Sequence, residues 1–293
     1  TFLATLHVMF SDCQIIYYCD SINIFFCLLP RLVGKKTVIN VDGLQWKRAK
    51  WGALAKGAYR ISEWMATFLA TRVICDSKGM ADYYWEKFKK KTDCISYGGS
   101  GQRREDAALL FSKFGLVPGE YFLYVSRLEP ENNAHLFVEA YESIKTDKPF
   151  VVVGDAPYAQ DYIQRLQATK DKRIKFLGYV FGDDCRLLTS QAFVYFHGNA
   201  VGGTNPGLVE AMSLGNCIIA VDVSFNREVL GDTGFFFKAD NIAELKALIE
   251  TVLVDKQMAE RARKLSSERA ARVYSWEKIT AQYWDFFKGL VRR

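Results

Sequence analysis

Short apolar runs recur along this chain, and almost every one is followed by a segment of helical pattern. In the first part the strand-like runs are Gln14 to Cys19, Thr37 to Val41, Arg72 to Cys75 and Cys94 to Tyr97. Helical patterns fill residues 2–10, 21–32 and roughly 50–70, and a further helix is capped by Asp76-Ser77. The second part repeats the alternation, with runs at Tyr121 to Val125, Phe150 to Val153, Ile174 to Leu177, Ala192 to Phe196 and Cys217 to Val221. Helical segments follow at 134–143, 158–169, 183–190, 207–214, 242–254 and 258–263. Apolar strands alternating with helices require parallel sheets buried on both faces. The pattern therefore predicts an α/β fold of two Rossmann-like domains.

A chain of 293 residues has room for two such domains. Residues 100–118 read as a linker carrying one short helix, which puts the boundary at Pro118: a first domain over 1–117 and a second over 118–275. Residues 276–293 form an amphipathic helix loaded with Trp276, Tyr283, Trp284, Phe286 and Phe287, expected to cross back and pack on the first domain.

Residues 1–118 hold 17 Lys+Arg against 10 Asp+Glu, whereas the rest holds 22 against 23. The excess positive charge lies in the first domain. It reads as a solvated face, an anionic membrane surface, a pyrophosphate-bearing acceptor or, least of all, nucleic acid, for which no zinc-finger or RNA-binding signature is present. The seven cysteines include no C-x-x-C pair; Cys27, Cys75, Cys94 and Cys217 sit in apolar runs and read as buried thiols of a reducing compartment. The most apolar stretch, Ile15 to Val33, is interrupted by Asp20, Asn23 and Pro30, so no span is predicted. The expectation is a cytoplasmic protein, peripheral at the inner face of the membrane. The first residues lack the pattern of a signal peptide and read as the inside of a helix, which suggests a missing N-terminal portion.

The segment His197 to Met212 carries the strongest chemical signal. It leaves a strand at the carboxyl edge of a parallel sheet, where ligands of open α/β folds bind, and enters a helix. Gly202 and Gly203 permit close backbone approach, Pro206 suits the first helical turn, and the amides around Gly203, Thr204 and Asn205 are expected to cradle a diphosphate. Glu210, one turn into the helix, is suited to accept hydrogen bonds from ribose hydroxyls.

With Ala211, Met212 and Gly215, this segment resembles the donor-binding element of family-4 retaining glycosyltransferases of the GT-B fold, two domains facing a cleft. That family carries two glutamates with seven residues between them. Glu210 matches the second, and Gly202 stands where the first would be. The string from Val201 to Pro206, residues 42–51 and Arg127 to Asn133 are similar to a bacterial subgroup of rhamnosyltransferases. The resemblance implies that roughly 80–90 residues are absent at the N-terminus. It assigns the donor diphosphate to Arg127, which ends the first strand of the second domain, and puts Asn132 where the family has a lysine. The alternative for Arg127 is an ion pair with Glu129 or Glu131. Tyr179 and Val180 are expected near the base, and Glu228 and His197 near the donor, with a structural histidine the other reading of His197.

Asp42 follows a first-domain strand, where related enzymes often have a histidine. It is suited to bind donor or acceptor hydroxyls, to act as a base, or simply to close a turn. Trp46, Lys47, Arg48 and Lys50 are suited to an anionic, lipid-linked acceptor or the donor diphosphate, or form a basic amphipathic surface. Asp42, Arg127 and Glu210 are the catalytic candidates. No metal site or cofactor is predicted beyond a nucleotide diphosphate sugar, dTDP- or UDP-linked, as substrate. The expected activity is metal-independent, retaining transfer of a hexose or deoxyhexose, rhamnose above others, to a saccharide or lipid-linked saccharide. A nucleotide-sugar 2-epimerase and a non-catalytic nucleotide-sugar-binding module are the alternatives.

Overall fold

The computed structural model describes residues 1–48 and 50–291; Ala49 of the 42–51 string, and Arg292 and Arg293 of the terminal segment, lie outside the described residues. The chain divides into two compact units. One comprises 1–97, 201–204 and 276–293, and the other 98–200 and 205–275.

The first unit alternates α1 (Phe2–Met9), β1 (Ile15–Cys19), α2 (Ile24–Leu32), β2 (Lys36–Val41), α3 (Ala53–Leu69), β3 (Arg72–Cys75), α4 (Lys78–Phe88) and β4 (Asp93–Cys94). Its sheet runs β1-β2-β3-β4, every pair parallel. Side chains alternate between faces along each strand. Ile39, Val41, Val73 and Cys75 pack with Ile24, Cys27, Ala66, Met80 and Tyr84 of the following helices. Their neighbours Val38 and Ile74 share the opposite core with Ile95, Ile279 and Leu290. The last two belong to the terminal helix (Trp276–Val291), so the C-terminal segment returns to the first unit as its pattern predicts. The Tyr17 and Tyr283 hydroxyls also meet, at 3.3 Å.

The second unit runs α5 (Ala107–Phe114), β5 (Phe122–Val125), α6 (Ala134–Glu142), β6 (Phe150–Val153), α7 (Gln160–Gln167), β7 (Ile174–Gly178), α8 (Gly182–Gln191), β8 (Val194–His197), α9 (Pro206–Ser213), β9 (Cys217–Val221), α10 (Ser224–Leu230), β10 (Phe235–Phe237), α11 (Ile242–Val254) and α12 (Lys256–Val273); the terminal helix is α13. The sheet order is β10-β9-β8-β5-β6-β7, all parallel. The chain builds outward through β6 and β7, then resumes beside β5 with β8, which makes the β5/β8 junction the switch point.

Four sequence expectations need revision. The contact division falls at 97/98 and not at 117/118, because the stretch before α5 is bonded into the second unit. Arg103 donates to the carbonyls of Leu214 and Ser190, both at 2.7 Å, and Leu110 is fully buried in that unit's core. α12 is far longer than residues 258–263. Its buried stripe is Ala259, Ala262, Ser266 and Ala270, small residues that give no bulky apolar period to read. β10 and α10 are additional elements. Cys94 is exposed, because β4 is a two-residue edge strand, while Cys27, Cys75 and Cys217 are buried.

If α13 is the cover of one sheet face, truncating its buried Ile279 should cost about 2–5 kcal/mol, the usual range for a buried isoleucine cut to alanine. Chemical denaturation of Ile279→Ala followed by Tyr and Trp fluorescence measures this. A loss below about 0.5 kcal/mol, the level of a surface change, would show that the helix is not needed there.

Candidate functional site

In the second unit, a cavity of about 420 Å³ opens beyond the carboxyl ends of β5, β6 and β7. Arg127 stands at the end of β5, Gly154 at the end of β6, Tyr179 and Val180 after β7, Arg186 on α8 and Glu210 on α9, and all line it. Gly154 has φ +137, and a Cβ there would overlap the Ser126 carbonyl, so the β5 and β6 ends meet in a way only glycine permits.

The Glu210 carboxylate is held firmly. The Ser100 amide donates to Oε2 at 2.8 Å and the Ser100 hydroxyl to Oε1 at 2.5 Å, with the Ser213 hydroxyl 3.4 Å from Oε2. A carboxylate offers about four acceptor positions. Two are engaged by Ser100, the Ser213 proton going chiefly to the Glu210 carbonyl at 2.8 Å, and Glu210 lines the cavity with acceptor capacity left. Arg127 both lines the cavity and pairs with Glu129, its Nη2 3.7 Å from Oε2; Glu129 is buried and also accepts from the Tyr158 hydroxyl. The ion pair with Glu129 given as the alternative for Arg127 is present, and the same side chain lines the cavity. Arg186 supplies a second cation, its Nε 3.9 Å from Glu210 Oε1. The resemblance gives the second domain only Arg127 for the diphosphate, with Asn132 where the family has a lysine; the signal for Arg186 was its place on the helix that follows β7.

Other donor candidates sit elsewhere. Asn132 is buried and its side-chain amide donates to the Arg127 carbonyl at 2.8 Å, so it props the loop that aims Arg127 and does not line the cavity. His197 ends β8 fully enclosed beside Tyr195, and burial pushes its pKa down to about 3, which keeps it neutral. Glu228 is half-buried on α10, outside the cavity lining, and its carbonyl accepts from Arg269 and Tyr274. Tyr179 stacks on Phe181 at 5.3 Å at the cavity rim.

The glycine bend differs most from expectation. Residues 201–204 belong to the first unit. The Gly203 amide donates to the Asp42 carbonyl at 3.1 Å, and the Thr204 hydroxyl to the Asp76 carbonyl at 2.8 Å. A Cβ on Gly203 would overlap Asp76 Oδ1 and lie 2.6 Å from Oδ2. Gly203 is a glycine because a carboxylate lies against it. At the helix start, Asn205 accepts from the Gly207 and Leu208 amides at 2.9 and 3.3 Å. Of the amides expected to cradle a diphosphate, that of Gly203 is taken up by the Asp42 carbonyl, and the next two free amides of the helix start by the Asn205 side chain. None of Gly202, Gly203, Thr204 and Asn205 lines the cavity.

In the first unit, Asp20, Asp42 and Asp76 directly follow β1, β2 and β3. Asp42 is half-buried, and burial together with the Asp20 charge pushes its carboxyl above the usual range. Asp76 is 2% exposed. Burial, with Asp42 adding to it, pushes its pKa up to about 8; among the described residues neither oxygen has a hydrogen-bond partner of normal geometry, and Ser77 and Thr204 offset burial only in part. Trp46 receives Arg60 over its ring at 4.5 Å, with Lys47 at 5.6 Å. Lys50 lies over Trp51 at 5.4 Å, and Arg48 lowers the pKa of Asp42 through its charge.

Two all-parallel α/β units, one with a cationic cavity beyond its strand ends, define the GT-B class of fold. The chain belongs to the family described as "Glycosyl transferases group 1", which matches residues 110–269, and residues 15–100 match a domain of unknown function, DUF1972. It is 27% identical over 189 residues to O-antigen chain mannosyltransferase B of Escherichia coli, covering 62% of this chain and 49% of that protein, so it spans about half the length of this relative. It is 22% identical over 284 residues to a Campylobacter jejuni N-acetylgalactosamine-N,N'-diacetylbacillosaminyl-diphospho-undecaprenol 4-alpha-N-acetylgalactosaminyltransferase, covering 90% of this chain and 73% of that one. Among solved structures, Anabaena Alr3699/HepE in complex with UDP-glucose superposes with a TM-score of 0.84 at 19% identity, over 98% of this chain and 81% of that one. Sucrose-phosphate synthase from Thermosynechococcus elongatus gives 0.83 at 18%, over 99% and 76%.

Asp76 yields a pH signature. Its folded-state pKa, about 8, lies above the ordinary 3.8, so the protonated form is the one favoured on folding. The stability it contributes is complete below about pH 4 and is lost as the pH rises towards about 8. In Asp76→Asn this component disappears, and the thermal midpoint should fall less across that interval than in the parent. Parallel profiles for the two proteins would refute the assignment.

Proposed function

We propose that this chain transfers a hexosyl or deoxyhexosyl group from a nucleotide diphosphate sugar to a saccharide or lipid-linked saccharide. The observation that carries the reading is the convergence of Arg127, Arg186 and Glu210 on one cavity at the switch-point side of a parallel sheet. Two guanidinium groups suit the paired oxygens of a diphosphate, which they bind as forks. The free acceptor capacity of Glu210 suits a ribose hydroxyl, and its Ser100 clamp fixes the direction in advance. Backbone groups at Tyr179 and Val180 suit the base. As the sugar leaves, negative charge grows on the diphosphate, and cations already in place stabilise it without rearrangement.

The finer reading is a retaining transfer of rhamnose from a dTDP donor, with the leaving phosphate helping to deprotonate the acceptor hydroxyl; it rests on the resemblance around Val201 to Glu210. Asp42, at a first-unit strand end, is the side chain for acceptor or sugar hydroxyls. A lipid-linked saccharide fits the Campylobacter relative's diphospho-undecaprenol acceptor and the net positive charge of residues 1–118. That charge also favours a peripheral position at the inner membrane face. Among the described residues, no helix is long and apolar enough to cross a membrane.

Thermal-shift titration with dTDP, UDP and GDP, followed by the tightest binder against Glu210→Ala and Arg127→Ala, tests the cavity. Each variant should weaken binding by about tenfold or more, equivalent to about 1.4 kcal/mol. Unchanged affinity in both would remove the cavity from the reaction. Release of nucleoside diphosphate from the donor sugar should then depend on adding a lipid-linked saccharide.

A further inference from the structure

The first unit gathers three cationic side chains around one indole. Arg60 of α3 lies over Trp46 with its Cζ 4.5 Å from the ring centroid, Lys47 places its Nζ at 5.6 Å, and Lys87 of α4 places its Nζ at 5.8 Å. They come from three separate elements, so no single helix face explains the gathering. Cations held this close repel one another, and the cation–π contacts offset that repulsion only in part.

Among the described residues, one carboxylate is paired into the cluster. Glu63, buried on α3, lies 3.7 Å from Lys87 through Oε2 and accepts the Tyr83 hydroxyl at 2.8 Å. Three positive charges thus face one negative one. Lys47, Arg60 and Lys87 are exposed, so the surplus is open to an incoming anion. Along α3, Trp64 and Phe68 follow Arg60 at successive i, i+4 steps, which places all three on one helix face. Their rings meet at 4.8 Å, and they are 55% and 49% exposed. A charged seat therefore continues into an exposed aromatic strip.

We infer that Lys47, Arg60 and Lys87, arranged around Trp46, seat the diphosphate of a chain-bearing acceptor whose apolar tail lies along Trp64 and Phe68. This deepens the acceptor side of the proposed reaction and rests on that reading for its purpose, but its residues are separate from those of the nucleotide cavity.

The test is calorimetric binding of farnesyl diphosphate to the full chain, with uridine diphosphate saturating the nucleotide cavity. Inorganic pyrophosphate and farnesol are the comparison ligands. Arg60→Gln and Lys87→Gln should each weaken farnesyl diphosphate and pyrophosphate by about tenfold, as loss of a charge-assisted contact does. Trp64→Ala should weaken farnesyl diphosphate and leave pyrophosphate unchanged. Lys89→Gln, a charge control on the same chain segment, should bind like the parent. Equal binding by Arg60→Gln, Lys87→Gln and the parent overturns the seat. So does an equal loss in Lys89→Gln, which would mean a diffuse charge effect. If the Arg60 and Lys87 variants lose binding only to phosphatidylglycerol vesicles, the surface is a general membrane contact and the inference fails. Uridine diphosphate affinity is measured in every variant. Its absence from the parent sinks the nucleotide cavity alone, because the diphosphate arms can still be run without it.

Discussion

A parallel sheet exposes no face that water can be allowed to keep, and this requirement organises the whole molecule. In the first unit, β2 and β3 place Val38 and Ile74 on one side and Ile39 and Val73 on the other. The α2, α3 and α4 helices cover one of these faces. The other core includes Ile279 and Leu290, which the chain supplies only after it has completed the second unit. With both faces closed, the strand ends are where polar groups are left available. Asp20, Asp42 and Asp76 in the first unit, and Arg127, Gly154 and Tyr179 in the second, all stand at carboxyl ends of strands for this reason.

The Gly-Gly-Thr-Asn bend shows how one local motif can satisfy two physical demands. Read in isolation, it has small residues, free amides and a helix start, the ingredients of a phosphate cradle. In the folded chain the same smallness serves packing against Asp76. A side chain at 203 would collide with that carboxylate, the Gly203 amide donates to the Asp42 carbonyl, and the Gly207 and Leu208 amides donate to the Asn205 side chain. Burying an acid in this way costs its ionisation, and Asp76 responds by holding its proton to a pH near 8. In the second unit, Arg127 and Arg186 lie away from this bend, in the cavity beyond β5 to β7.

The alternation of apolar runs and helices was legible because bulky side chains carry it, and so were strands β1 to β9, the returning terminal helix and the places of Arg127 and Glu210 on their elements. What was hidden has identifiable causes. α12 packs through alanine and serine, whose small size leaves no hydrophobic period. The Ser100 clamp on Glu210 joins residues far apart in sequence, and no local pattern announces it. Arg186 is the single arginine of α8, with nothing in the local sequence to set it apart, and only the fold brings it to Glu210. Asp76 is different, since its signal was present. Cys19-Asp20, Val41-Asp42 and Cys75-Asp76 each set an aspartate immediately after a strand, yet the capping propensity of Asp76-Ser77 accounted for it locally.

Two ways of holding cations follow from these surroundings. Around the cavity beyond β5 to β7, Arg127 and Arg186 each have a carboxylate partner in Glu129 and Glu210, so their charges are oriented before any ligand arrives. Around Trp46, three cations share an aromatic ring and a single buried carboxylate, which leaves the group electrostatically incomplete. The first arrangement favours a ligand of fixed geometry, because paired guanidinium groups lose little freedom on binding it. The second favours a strongly charged head with few geometric demands, because the attraction comes from uncompensated charge and the indole holds only the cations. A nucleotide diphosphate fits the first description and an acceptor on a long apolar carrier fits the second. The proposed division of labour thus follows from how each cluster of positive charge is balanced.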